Sequence, residues 1–405
     1  MRILTVGLGG AGCKIVDQLY AHDIRNQSRC IDGMAVDSDA ERLNSLQVVP
    51  PDKRIFFQPL DLSHHGDLAS YLPSEEILAR LQSLDDGDID ALFLSMGLGG
   101  TLAGTAPHLA EYLKKSVSEP IFGLCTLPCR REGDERARTA ADQLDQLLAA
   151  LDGVILFDNE SWQGKKSLMQ CDDSPVRPVD LASLIGRKSA PPPPLTATER
   201  FYTGMNDLIA RRITLLFRAG EYSDRYLSNQ PQVVLDAGEI INTMEGMGLI
   251  TIGYARDEIA EEGSLDILAK IRPGAPAVDD QHMKASRVVN LARRAVYDEM
   301  STPVELEKAK KALILIAGHP LEMSMKGFMT VRKWIDRTIQ GLELRSGDYP
   351  VKGGRFLGVF IILAGMDTLS RVEELRNIRE RVKSEDAGKP EDVSAGDPGD
   401  ATIIL

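Results

Sequence analysis

Over residues 1–160, short apolar runs alternate with stretches in which apolar positions recur every three or four residues. The runs Ile3–Val6, Gly33–Val36, Ile55–Phe57, Ala91–Leu94, Ile121–Cys125 and Val154–Phe157 read as buried strands. Gly12–Ala21, His108–Lys115 and Glu135–Leu151 read as helices between them. This alternation predicts a parallel sheet covered by helices, and such sheets bind ligands beyond the carboxyl ends of their strands. The polar stretch 163–194 closes on Pro191–Pro194, which favours extended backbone, and reads as an exposed insertion. A long helix is predicted over Ala197–Phe217, with Phe201, Met205, Leu208, Ile209, Ile213 and Leu216 near helical spacing and Gly220 as its stop.

Residues 231–366 read as a second α/β unit, with strands at Val233–Leu235, Leu249–Tyr254, Ala312–Ala317 and Leu357–Ala364 and a helix at Lys284–Asp298. Ser384–Asp400 is rich in Asp, Glu, Gly, Pro and Ser and buries too little apolar area to offset the entropy of ordering. The expected organisation is α/β throughout. A Rossmann-like parallel-sheet domain occupies 1–196, a central helix 197–220, a smaller α/β domain 221–375, and an acidic disordered tail 376–405 ends in Ile403, Ile404 and Leu405.

Composition narrows the function classes. A chain of 405 residues, 43% hydrophobic and 26% charged, is ordinary for a globular protein of two domains. No apolar run reaches the roughly 20 residues of a membrane helix. The opening MRILTVGLGG is a strand running into glycines, without the three-part pattern of a signal peptide, so a cytoplasmic protein with no membrane insertion is expected. Five cysteines make no disulfide framework, and Cys125 and Cys129 have metal-like spacing but no second pair. A net charge of −13 repels phosphate backbones and argues against nucleic acid as a partner.

Two glycine loops carry the chemistry. Gly7-Leu8-Gly9-Gly10-Ala11-Gly12 follows the first strand and opens a helix, in the spacing of a dinucleotide fingerprint. Glycines let backbone approach phosphate, and a helix N-terminus attracts its charge. Asp37 and Asp39, after the next strand, are candidates for a ribose hydroxyl, and these features alone favour an NAD-dependent oxidoreductase. The second loop, Gly97-Leu98-Gly99-Gly100-Thr101-Leu102-Ala103-Gly104-Thr105-Ala106-Pro107, changes the balance. One Rossmann cofactor does not need two phosphate loops on separate strands, whereas a nucleoside triphosphate can use both.

The second loop resembles the GGGTGTG signature of the FtsZ/tubulin superfamily, keeping Gly99, Gly100, Thr101, Gly104 and Pro107. It lacks one glycine of the triplet and carries Leu102 and Ala103 inside the motif. Glu132-Gly133-Asp134-Glu135-Arg136 resembles the family's E-G-x-x-R, Asn159 its strand-end asparagine, and Tyr202 and Asn206 the aromatic and amide of its central helix. Asp236-Ala237-Gly238-Glu239 followed by Ile240-Ile241-Asn242-Thr243, together with Gly347-Asp348-Tyr349-Pro350, resembles the archaeal CetZ branch.

The resemblance implies a filament-forming GTPase that binds GTP/GDP with Mg²⁺, the direct metal ligands being left open. It places Gly9, Gly10, Ala11, Gly12, Cys13, Asp39, Gly97, Gly99, Gly100, Thr101, Leu102, Ala103 and Gly104 around the nucleotide. Glu132 and Arg136 go to ribose and phosphate, and Asn159, Tyr202 and Asn206 to guanine. Asp236 and Glu239 polarise a water on the neighbouring subunit's nucleotide, in a head-to-tail homopolymer with a role in cell shape or division. Two other readings remain: a nucleotide-binding module that scarcely hydrolyses, because the shortened loop offers phosphate fewer N–H groups, and the oxidoreductase. The apolar tip of the tail suits a partner's groove.

Overall fold

A computed structural model describes residues 1–58, 68–85, 87–165, 168, 196–220, 233–259, 277–341, 343–351 and 353–387. Most of the expected insertion, and the tail from 388 onward with Ile403, Ile404 and Leu405, lie outside them.

Ten strands form one continuous sheet: β1 (Ile3–Leu8), β2 (Ile31–Asp37), β3 (Arg54–Phe56), β4 (Ala91–Gly97), β5 (Ile121–Leu127), β6 (Gly153–Asp158), β7 (Leu249–Glu258), β8 (Lys311–Gly318), β9 (Glu343–Pro350) and β10 (Phe356–Met366). Their order is β3-β2-β1-β4-β5-β6-β7-β10-β8-β9. From β3 to β7 all neighbours are parallel. β10 runs antiparallel between β7 and β8, and β8 pairs parallel with β9. The halves join through β6 and β7, in register at Val154–Leu249 and Ile155–Ile250.

The helices are α1 (Gly9–Asn26), α2 (Ala40–Asn44), α3 (Ser74–Leu84), α4 (Ala106–Leu113), α5 (Asp134–Ala150), α6 (Ala197–Ala219), α7 (Ala237–Met244), α8 (Ala277–Tyr297), α9 (Met325–Thr338) and α10 (Ser370–Ala387). They cover both faces, which is why the strands read as unbroken apolar runs. On β4, Leu92, Leu94 and Met96 join one core cluster, and Phe93 joins the other. The first cluster holds the inner faces of α4, α5, α8 and α10, and the second those of α1, α6 and α7. α1 sits tight on the sheet because Gly12 has no side chain: a Cβ there would stand 2.0 Å from the Ser95 carbonyl oxygen.

The central helix α6 begins at a capping box. The Thr196 hydroxyl accepts the Glu199 N–H, and the Glu199 carboxylate accepts the Thr196 N–H at 2.7 Å. Met205, Leu208, Ile209, Ile213, Leu216 and Phe217 bury its inner stripe. At its far end a Cβ on Gly220 would meet Ile240 Cδ1 at 2.8 Å and Met1 Cβ at 3.0 Å, and the Met1 nitrogen donates to the Phe217 carbonyl at 3.0 Å. The C-terminus of α6 therefore meets the start of β1, and the helix runs antiparallel to that strand.

Two expectations are corrected. Val233–Leu235 is not a strand: Asp348 N–H reaches the Val233 carbonyl at 3.0 Å, but the residues lead straight into the cap of α7. The disordered tail expected from 376 is helical as far as 387, since α10 lays Val372, Leu375 and Val382 onto the core while Arg376, Arg379 and Arg381 pair with carboxylates of α5.

Candidate nucleotide site

The two glycine loops leave the carboxyl ends of the adjacent strands β1 and β4 and come together. A Cβ on Gly97 would lie 2.8 Å from that of Ala11, and one on Gly9 would lie 3.3 Å from that of Leu102. The helix starts at Gly9 itself, so Gly9, Gly10, Ala11 and Gly12 form the first turn of α1, whose N–H groups have no intrahelical acceptor. Cys13 turns away from this turn; its buried thiol faces the Gly7 and Val36 carbonyl oxygens, and burial raises its pKa.

The second loop has a different interior from the one expected. Leu102 and Ala103 are buried in the core, with Leu102 packed over Gly9. The Gln143 side chain on α5 clips the loop: Gly99 N–H donates to its Oε1 and its Nε2 donates to the Gly100 carbonyl, both at 2.8 Å. Gly99 N–H is thus already engaged, and so are Leu98 N–H with the Thr126 carbonyl at 2.9 Å and Gly100 N–H with the Gly97 carbonyl at 3.3 Å. Gly104 N–H bonds back to the Thr101 carbonyl at 3.3 Å.

Beyond β2, Asp39 caps α2 by accepting the Glu41 and Arg42 N–H groups, and its other oxygen pairs with the Arg42 guanidinium at 3.0 Å. Asp37 is fully buried; burial raises its pKa, opposed by Arg42 at 3.9 Å. Arg42 also lies against the first loop, its Cδ 3.3 Å from where a Cβ on Gly10 would stand.

Glu132 gathers the next group. It accepts from Cys129 N–H at 2.8 Å, Arg136 at 2.7 Å and the Tyr202 hydroxyl at 2.9 Å. Burial, then the bond to Glu132, raises the Tyr202 pKa. Asn159, at the end of β6, is buried and its Oδ1 has no hydrogen-bond partner. Asn206, one turn beyond Tyr202 on α6, lines a cavity with Lys14, Asp17, Gln18 and Thr203. An orphaned buried acceptor at Asn159 fits a ligand edge that donates, as guanine does through N1–H and N2–H. The loop bearing Asn159 is pinned by buried Trp162, which donates to the Ser301 carbonyl at 3.3 Å and stacks on Arg212 of α6.

Asp236 and Glu239 stand elsewhere. Asp236 is exposed and caps α7, accepting Glu239 N–H at 2.7 Å, and Glu239 pairs with Arg345 of β9 at 3.2 Å. Both lie at the C-terminal end of α6, whereas Tyr202 and Asn206 lie at its beginning. Fourteen residues at a rise of about 1.5 Å place Gly220 about 21 Å from Asn206. The chain assembles the candidate nucleotide residues at one pole and the acidic pair at the opposite one.

Gln143 and Arg42 escaped the reading of the sequence, since a glutamine in a helix and an arginine beside a turn both resemble ordinary surface residues. Among the described residues no group of three or more His, Cys, Asp or Glu is arranged to hold a metal ion, and no helix is long and apolar enough to cross a membrane.

Comparison with known proteins supplies the context. Residues 2–165 match the tubulin/FtsZ family GTPase domain, and residues 197–380 the C-terminal domain of tubulin-like CetZ. The chain is 30% identical to the tubulin-like protein CetZ1 of Haloferax volcanii, with 93% of this chain and 91% of that protein covered. It is 28% identical to CetZ5 of the same organism, with 98% of each covered. Among solved structures it resembles the GDP-bound CetZ1 monomer of Haloferax volcanii, with a TM-score of 0.73 at 26% identity over 95% of this chain and all of that one. It shares its fold with the GTPγS-bound CetZ2 protofilament of that organism, with a TM-score of 0.72 at 24% identity, covering 95% of this chain and all of that one.

Proposed function

We propose, from the premise that this chain belongs to the CetZ family of tubulin/FtsZ-like cytoskeletal GTPases, that it binds GTP at the pole formed by β1, β4, β5 and β6 and hydrolyses it in a head-to-tail polymer. The observation that carries this reading is the separation of the acidic pair from the glycine loops along α6. A subunit holding GTP on its own lacks the carboxylates that orient water, and a second subunit stacked with its acidic pole on that nucleotide supplies them. A contact of this heterologous kind does not close on itself and makes an open filament.

In this reading the first turn of α1 receives phosphate on its free N–H groups, with Arg42 and Arg136 on either side. Asn159 and Asn206 read the guanine edge, and Tyr202 packs on the base. Asp236 and Glu239 polarise the attacking water. Mg²⁺ would offset the phosphate charge when bound. The cytoplasm and a role in cell shape or division belong to the same proposal, as does a protein partner for the tail.

Phosphate release from GTP, measured over rising protein concentration, tests the shared site. Activity per subunit is expected to climb with concentration. Asp236→Ala and Glu239→Gln should bind GTP as the wild type does and turn it over roughly 100- to 10,000-fold more slowly. Mixing either with Asn206→Leu, which weakens the nucleotide pocket, should restore part of the activity. Turnover independent of concentration, with no recovery in mixtures that co-assemble, sinks the shared site. The engaged Gly99 N–H favours a second reading, a polymerising module with little hydrolysis. Tight GTP binding and assembly without phosphate release is its signature.

A further inference from the structure

The loops after β5 and β6, carrying Glu132 and Asn159, are held from outside by one residue cluster at the start of α10. Arg371 is buried, 6% exposed. Its Nε lies 3.2 Å from Asp158 Oδ1, and its Nη2 donates to the Pro128 carbonyl at 2.7 Å. Asp158 immediately precedes Asn159 and shapes that turn, accepting Glu160 N–H and Ser161 N–H at 3.2 Å each. Pro128 begins the segment leading to Glu132.

One helical turn on, Glu374 accepts a two-pronged bond from Arg130, at 2.7 and 2.9 Å, and lies 2.9 Å from Arg371 Nη1. Arg130 N–H in turn donates to Glu160 at 3.0 Å, tying the two loops to each other. Hydrogen bonding from Arg130, opposed by burial, leaves the Glu374 carboxyl at about 2.

The rest of α10 docks on α5 through separate pairs, Arg376 and Arg379 on Asp145 at 2.6 Å and Arg381 on Asp134 at 2.5 Å. These touch neither loop, so docking of the helix and its grip on the loops are separable. A buried arginine shared between a carboxylate and a backbone carbonyl of two different loops has no function in holding α10 alone. Arg376 and Arg379 already do that.

We infer that Arg371 and Glu374 are positioning residues for the nucleotide site, making nucleotide affinity and base selectivity depend on the grip of the first turn of α10 on the two loops. The coupling is reciprocal: nucleotide that orders the loops tightens the first turn of α10 against them. The inference rests on the reading of Glu132 and Asn159 as nucleotide contacts.

Calorimetric titration with GDP and with ADP, on the full chain and its variants, tests it. Arg371→Gln and Glu374→Gln are expected to weaken GDP binding roughly tenfold and to reduce the GDP-over-ADP ratio. Arg379→Ala, which removes contacts of α10 with α5 and none with either loop, should leave both within about twofold. If Arg371→Gln does not fold, Glu374→Gln and hydrogen exchange on the wild type decide. GDP should raise amide protection in the first turns of α10, across residues 371–376. Wild-type GDP binding with unchanged Glu374→Gln affinity and selectivity, or an equal loss in Arg379→Ala, overturns the coupling alone. Wild type that binds no GDP removes the reading of the site and this inference with it.

Discussion

Leu102 shows how a residue can depart from a motif without intruding on its ligand. In the sequence it replaces a glycine of the phosphate loop, a change that reads as leaving phosphate fewer free N–H groups. In the structure its side chain is buried in the core over Gly9, so it braces one loop against the other. Replacing it by glycine should not restore activity. A buried leucine cut back typically costs about 2–5 kcal/mol, so Leu102→Gly should lower the urea midpoint by a matching amount. An unshifted midpoint would show that its packing contributes nothing. Gln143 supplies the complementary case. Gln143→Leu leaves the Gly99 N–H and Gly100 carbonyl without their side-chain partner, at about 1–3 kcal/mol if they stay dry. GDP binding should weaken as the loop loses its shape, and titration of the folded variant with unchanged affinity would exclude that role. Neither residue's part was legible in the sequence, because a motif specifies backbone spacing and not which way an intervening side chain turns.

Among elements, the parallel strands and α6 were legible because burial on both faces leaves unbroken apolar runs, and a capped amphipathic stripe leaves a period. β9 was not, since Glu343–Pro350 is an edge strand half-buried over its first four residues, with no run or alternation to find. α10 was hidden by charge, although Val372, Leu375, Ile378 and Val382 stand at helical spacing. That charge gives the helix an acid-sensitive seat. Burial tends to raise the Asp145 carboxyl, but hydrogen bonds from Arg379 and Arg376 leave it lowered, and the Glu374 carboxyl falls to about 2 from 4.5. Both are depressed in the folded chain. Their stabilisation is complete above the ordinary carboxylate range and is lost as pH falls through the folded values. Amide protection of α10 should drop below about pH 4 ahead of the sheet, and less steeply in Glu374→Gln. Protection that declines together with that of β1 and β4 would exclude a separate acid response.

At the scale of the whole molecule, a net charge of −13 acts on assembly. Like-charged subunits repel, and salt screens them over a Debye length that shrinks from about 14 Å at 0.05 M to about 4 Å at 0.5 M. The concentration needed for GTP-dependent pelleting should therefore fall as salt rises across that range. A rise instead would mean that ion pairs between subunits outweigh their general repulsion. The fold that subunits bring to such a polymer has α6 running against β1, with the glycine loops at one pole and the acidic loop at the other. In the proposed stack, each interior pocket would be closed by its neighbour, and one terminal pocket would open to solvent. The two tips of a filament are then different chemical objects. One exchanges spent nucleotide for fresh, while the other presents bare carboxylates and can renew its nucleotide only by shedding a subunit. Growth, arrest and shrinkage acquire a direction from nothing more than the orientation of one helix against one strand.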